Sequence, residues 1–158
     1  MKKLFLSLFV VMALFGGTAA ATFAAPTEKS SEPFTGTFSG TVYGDDGTTA
    51  PMTLTLVQDG DEVTGTAAMG EGLYVDAGLC GSGTIPASSQ TAVGDISARN
   101  PNHLSAQAAF EISGFRVNID LDGFLVDEDT LEAETKIDLP WLCGTDPVLY
   151  SSLERVTE

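Results

Sequence analysis

The sequence is poor in the side chains that catalytic and nucleic-acid-binding sites use most. It has one histidine, one tryptophan, two cysteines and seven basic residues against 22 acidic ones, giving a formal net charge of −15. So few cysteines and histidines cannot supply the four ligands of a zinc site, and no G-x-S-x-G nucleophile elbow is present. We therefore expect a protein that is not an enzyme. Nucleic acid is not expected as a partner, because an acidic surface repels phosphate groups.

Long hydrophobic runs are also scarce. One apolar run, residues 4–15, follows Lys2 and Lys3 and precedes small residues, which is the layout of a secretory signal peptide. It is shorter than the about 20 residues that a membrane span needs, and no cysteine lies near the cleavage region to carry a lipid anchor. Cleavage after Ala24, or alternatively after Ala21, would remove both lysines and move the formal charge to −17.

These features predict an exported chain without membrane insertion, located in the periplasm or the medium. We assign residues 1–24 to the signal peptide, 25–33 to a flexible tether bounded by prolines, and 34–158 to a single domain. The only two cysteines, Cys80 and Cys143, are too far apart for a redox motif, so we predict one structural disulfide between them. Closing so long a loop would stabilise the fold by about 4 kcal/mol.

Alternation of apolar and polar residues predicts the fold. Met52, Leu54 and Leu56 alternate with polar neighbours, and the same period of two recurs along most of the chain from residue 34. Turn sequences such as Asp59-Gly60 separate the alternating segments. We predict an all-β, antiparallel up-and-down meander of eight to ten strands that closes into a barrel, with a two-sheet β-sandwich as the alternative. The number of strands within residues 69–98 stays open.

Two short motifs resemble a known family. The sequences GTFSG (36–40) and DGDEVTGTA (59–67) are similar to the opening of avidin-like barrels. This resemblance implies a small calycin-type barrel. It does not imply biotin binding, since Gly40 or Thr41 stands where that family has a biotin-contacting asparagine, and Trp141 is the sole tryptophan.

The stretch VNIDLDGFLVDED (117–129) supports two interpretations. Counted from residue 118 it approaches the calcium loop of an EF-hand, with Asn118, Asp120, Asp122 and Asp129 as oxygen ligands and Gly123 at the turn. Alternation alone supplies the first three matches, so we favour a strand with a β-bulge at Gly123. Its polar residues would then share an outer face with the acids of residues 132–138. A calcium ion on that face is the one cofactor that we consider.

The barrel suggests binding rather than chemistry. Eight strands can enclose one small ligand, and we place Tyr43, Tyr74 and Trp141 at its rim, with Trp141 alternatively plugging one end. The leading hypothesis is an exported, non-catalytic binding module for a small molecule or a protein. The alternatives are an inhibitor of a cationic extracytoplasmic enzyme such as a lysozyme, and a calcium-stabilised structural domain.

Overall fold

The computed structural model describes residues 32–112 and 115–157. The predicted signal peptide, most of the tether and the expected turn at 113–114 lie outside the described residues. Within them the chain forms ten strands and one short 3₁₀ turn, Gly78–Cys80. The strands are β1 Gly36–Tyr43, β2 Thr49–Asp59, β3 Glu62–Met69, β4 Tyr74–Asp76, β5 Ser82–Thr84, β6 Ser88–Ser97, β7 Asn100–Ile112, β8 Phe115–Leu125, β9 Thr130–Asp138 and β10 Val148–Arg155.

Eight of these strands close into an antiparallel barrel in the order β1-β10-β9-β8-β7-β6-β3-β2. Each strand pairs with its neighbour in the chain, except where β3 pairs with β6 and where β1 pairs with β10 to complete the ring. Strands β4 and β5 form a separate two-stranded sheet inserted between β3 and β6. The predicted barrel is therefore confirmed and the sandwich alternative is wrong. Among the described residues, no helix is long and apolar enough to cross a membrane.

The alternating sequence explains why the interior of the barrel is mostly apolar. In β2 the side chains of Met52, Leu54 and Leu56 are buried, while the residues between them face outward. The same pattern in β9 buries Leu131, Ala133, Thr135 and Ile137. Each fully buried leucine or isoleucine stabilises the folded state by about 1.5–3 kcal/mol relative to an exposed one.

Glycines on the inner face let neighbouring strands approach closely. A side chain at Gly40 would overlap the backbone carbonyl of Ser152 on β10. Gly123 also faces inward, and β8 pairs with both neighbours through it without a register shift, so the predicted β-bulge there is wrong. A Cβ atom at Gly123 would fit tightly between Leu121 and Leu131, whose methyl carbons lie 3.2 and 3.3 Å from the Cβ position. The register shift lies instead beside residue 97, in β6.

The two ends of the barrel differ. At one end, called the closed end, Phe34 and Phe38 are completely buried and the Arg155 guanidinium lies over the Phe38 ring at 4.4 Å. The Phe34 N–H donates to Gln58 Oε1 at 3.1 Å, which fixes the segment that covers this end. At the other end, called the mouth, lie the loop 44–48, the insertion 70–87 and the loop 139–147.

Candidate ligand-binding site

The interior of the barrel contains an apolar cavity of about 150 Å³, called the barrel cavity. The part of its lining that the structure describes carries no charged side chain, and the few polar residues in it are Ser88, Gln90 and Thr135. Alanines at inward positions of three neighbouring strands leave the space that larger side chains would fill. The apolar lining includes Met52, Leu54, Leu56, Ala67, Ala92, Leu104, Ala106, Ala108, Ile119, Leu121, Ile137 and Leu149.

The insertion 70–87, called the cover segment, lies at the mouth. Leu73 is completely buried in the core, Ile85 packs against that core, and the Gly70 N–H donates to the Pro51 carbonyl of β2 at 2.8 Å, so both ends of the segment are held against the barrel. The tip of the segment is joined to the loop 139–147 by the disulfide between Cys80 and Cys143. The Leu79 N–H also donates to the Cys143 carbonyl at 3.0 Å. The predicted disulfide is confirmed, and its structural role is to hold the cover segment in place.

A second cavity of about 440 Å³, called the outer chamber, lies between the cover segment and the mouth of the barrel. Its walls include the disulfide, the β5 strand and the apolar side chains of Val117 and Leu139. Ile85, Pro86 and Ile137 line both cavities, so these residues separate the outer chamber from the barrel cavity.

An ion pair steadies the loop that carries Cys143. Lys136 Nζ lies 2.8 Å from Asp146 Oδ2, and the Leu139 N–H donates to Asp146 Oδ1 at 3.1 Å. The hydrogen bond to Lys136, followed by that from the Leu139 N–H, lowers the pKa of the Asp146 carboxyl, and the same ion pair raises the pKa of Lys136. Both groups therefore stay charged over the neutral range, and the loop is fixed at its base as well as at the disulfide.

The aromatic residues predicted for the rim all lie near the mouth, but none of the three lines either cavity. Tyr43 ends β1 and faces outward, and Tyr74 lies in β4 of the cover segment. Trp141 is 88 % exposed in the loop 139–147 and so does not plug the barrel. The residues that the sequence reasoning missed are the partition residues Ile85 and Pro86. The alternation of the sequence predicts which alanines face inward, but it does not predict the cavity that they leave together.

The residues of the proposed calcium loop are not arranged as an EF-hand. Asn118, Asp120 and Asp122 lie in the extended strand β8, as the favoured interpretation predicted, while Asp129 lies in the turn that follows. Asp122 faces Glu134 across the strand pair, and Asp120 faces Lys136. No group of three or more histidines, cysteines or acids in the described part of the chain could hold a metal ion. Calcium binding on this outer face stays a prediction, which thermal melts with calcium and with chelator would test.

The outer surface carries one further concave feature, called the outer groove. Cross-strand pairing puts Tyr43 beside Tyr150, Tyr150 beside Glu134, and Glu134 beside Asp122. Phe124 borders the groove, and the ring of His103 stacks on it with 4.3 Å between centroids. His103 Nε2 also contacts Asp122 Oδ1. The groove therefore combines exposed aromatic rings with carboxylates.

The backbone is similar to that of several solved barrels. EF1p2_mFAP2b bound to DFHBI matches with a TM-score of 0.54 and 10% identity over 78% of this chain and 94% of that chain. The redesigned beta barrel b11L5F_LGL matches with a TM-score of 0.53 and 13% identity, over 79% of this chain and 93% of that chain. The redesigned beta barrel mFAP1, bound to DFHBI, matches with a TM-score of 0.52 and 13% identity, over 78% of this chain and 95% of that chain.

Comparison with protein-family models finds no match, and neither does comparison with curated protein sequences. At such low identity the similar structures define a fold class, the antiparallel β-barrel. They support the barrel implied by the sequence motifs but do not single out the avidin-like family.

Proposed function

We propose that this chain is an exported, non-catalytic binding protein that holds a small, uncharged, apolar molecule in the barrel cavity. The observation that carries the proposal is the cavity itself, which is apolar, has no charged residue in its described lining and lies behind a fixed cover segment. Cavities of roughly this size and lining in other proteins stay dry and bind molecules such as benzene. Two of the similar barrels are bound to DFHBI, which supports a small molecule as the ligand class.

Export is part of the proposal and rests on two features. The N-terminal 24 residues have the layout of a signal peptide, and the disulfide between Cys80 and Cys143 suits an oxidising compartment. Secretion by cells carrying the full-length gene, followed by N-terminal sequencing of the product, tests it. Recovery of the unprocessed chain in the cytosol would contradict this part of the proposal and leave the binding site untouched.

Two leucine substitutions on the same strand test the cavity. Ala106 lines the cavity, whereas Ala109 has the opposite side-chain phase and does not. We expect Ala106→Leu to weaken binding of a benzene or indole probe at least tenfold, because the added methyl groups occupy the cavity. Ala109→Leu should bind as the native protein does. Titration followed by NMR chemical shifts measures both, and equal affinities in the two variants would refute binding inside the barrel.

A second candidate function is docking of a cationic protein on the outer groove. Directly opposed carboxylates, here Asp122 and Glu134, cost about 0.2–1 kcal/mol of stability, and a basic partner would offset that cost. Tyr43 and Tyr150 are 47% and 51% exposed beside them, and tyrosine is enriched at interfaces. We propose that an enzyme with a basic surface is the partner class, as for an inhibitor.

Charge-neutral variants test this docking. Glu134→Gln should weaken association with a basic protein and reduce its dependence on salt, because a charge inside the contact is lost. Asp59→Asn removes the same charge from the closed end and should leave association unchanged. Equal effects of the two variants in surface plasmon resonance would show attraction by net charge alone and refute a specific groove.

A further inference from the structure

We infer that the natural ligand is an elongated, uncharged amphiphile, whose hydrocarbon chain lies in the barrel cavity and whose hydrogen-bonding end lies in the outer chamber. This inference rests on the proposed function and narrows its ligand class. The two cavities follow one another along the line from the mouth to the interior, because Ile85, Pro86 and Ile137 border both. One molecule can therefore occupy both if the partition yields at a single side chain.

Ile85 is the side chain that must yield. It is partly buried and packs against the core of the barrel. Its backbone is fixed by the hydrogen bond from its N–H to Leu73, whereas its side chain can change rotamer without breaking that bond. The disulfide holds the far end of the cover segment. A rotamer change of Ile85 would therefore open the partition while the backbone of the cover segment stays in place, and a thin hydrocarbon chain could then pass.

The outer chamber supplies uncharged hydrogen-bonding groups. The Ala77 N–H donates to the Gly81 carbonyl and the Ile85 N–H donates to the Leu73 carbonyl. These two bonds show which facing residues of β4 and β5 are hydrogen-bonded pairs and which are not. Because hydrogen-bonded and non-bonded pairs alternate in an antiparallel ladder, the peptide groups of Ser82 and Thr84 point away from β4. No strand pairs with β5 on that side among the described residues. Both residues also line the chamber, so a free strand edge with two hydroxyl groups is available to a polar end group.

The charge pattern excludes ionised end groups. Among the side chains that the structure describes, neither cavity has a lysine, arginine, aspartate or glutamate in its lining. A carboxylate placed there would lack a cationic partner, and an ammonium would lack an anionic one, so both would lose hydration without compensation. A hydroxyl or amide end loses less, because the edge of β5 can replace its hydrogen bonds to water. The ligand class is therefore that of a neutral alcohol or amide with an aliphatic chain.

The experiment compares probes by isothermal titration calorimetry on the disulfide-bonded protein. We expect affinity to rise at least tenfold from 1-butanol to 1-octanol, since each buried methylene adds up to about fourfold. Octanoate and octylammonium at pH 7 should bind at least tenfold more weakly than octanol. Ile85→Ala should raise the ratio of octanol affinity to benzene affinity several-fold, because octanol must pass the partition and benzene fits inside the barrel cavity alone. Leu79→Ala, at a 91% exposed position of the same segment, should change nothing.

The outcomes separate the inference from the proposed function. If benzene binds inside the barrel but affinity does not increase beyond butanol, the inference fails and the proposed function stands. Equal binding of octanoate and octanol, or no effect of Ile85→Ala on the octanol-to-benzene ratio, also overturns the inference. If neither benzene nor any alcohol binds, both fail. Circular dichroism confirms that each variant is folded before its titration is compared.

Discussion

Arg155 is expected to be the most sensitive polar residue of the closed end. Its guanidinium donates to three backbone carbonyls, those of Pro33 and Thr35 at 2.7 Å and that of Glu128 at 3.1 Å. It also lies 4.4 Å from the centre of the Phe38 ring. The side chain is 21% exposed, so water does not readily replace these partners. The perturbation that we consider is Arg155→Lys, which keeps the charge and removes the planar fork.

The magnitude follows from what lysine cannot do. An ammonium on a flexible stem can reach one or two carbonyls but cannot satisfy three in fixed directions while stacking on a ring. Each lost hydrogen bond from a charged donor costs about 1.5–3 kcal/mol, and the ring contact contributes about 0.5–2 kcal/mol. With one carbonyl lost and the stacking weakened, Arg155→Lys should reduce the free energy of unfolding by about 2–4 kcal/mol. That corresponds to a fall in Tm of roughly 10 °C for a domain of this size.

Urea unfolding followed by circular dichroism measures the effect. The midpoint should fall while the m-value stays constant, because the surface exposed on unfolding does not change. Arg99→Lys is the matched control, since Arg99 is exposed in the turn between β6 and β7 and should shift stability by no more than about 0.5 kcal/mol. If Arg155→Lys and Arg99→Lys were equally stable, the guanidinium would not hold the closed end together, and the reasoning would be wrong.

Three other perturbations have calculable outcomes. Replacing Cys80 and Cys143 by serine removes a bridge across 63 residues and should cost about 4 kcal/mol; an unchanged Tm in differential scanning calorimetry would contradict this. Gly40→Ala forces a side chain against a carbonyl of β10 and should lower the free energy of unfolding by about 1–3 kcal/mol. Gly83→Ala meets open space and should not lower it, and chemical denaturation of both variants measures the difference. Hydrogen bonds from the following turn hold the pKa of the Asp127 carboxyl below its ordinary 3.8. The stability that this carboxylate contributes is therefore present above that pH, and it is lost as the pH falls through the lower pKa of the folded protein. In acid titrations, Asp127→Asn should therefore lose less stability below about pH 4 than the native protein, and identical acid curves would be the refuting result.

Much of the barrel is predictable because each strand is buried on one face only. The alternation of Met52, Leu54 and Leu56 with outward residues specifies a strand, and turn sequences set the order of pairing. The predicted bulge at Gly123 failed for a physical reason. The apolar run after it suggested a shift in phase, whereas Phe124 keeps the alternation and faces outward, where the ring of His103 stacks on it.

The candidate site was less predictable, because it depends on volumes and not on patterns. Alternation identifies Ala106 and Ala108 as inward residues, but it does not say whether side chains from the opposite wall fill the space beside them. Nor does it show that Ile85 lies across the mouth, since the position of the cover segment depends on the disulfide and on the pairing of β4 with β5. Contacts between residues distant in the sequence decide both.

The closed end brings the two ends of the described chain together, through the hydrogen bonds from Arg155 to Pro33 and from the Val156 N–H to Thr37. The mouth lies at the opposite end of the barrel. Anything joined directly at residue 32 or 157 therefore starts at the end of the barrel that lies opposite the mouth. If residues 32–157 alone were immobilised on a sensor chip by a tag at either end, the mouth would face the solution.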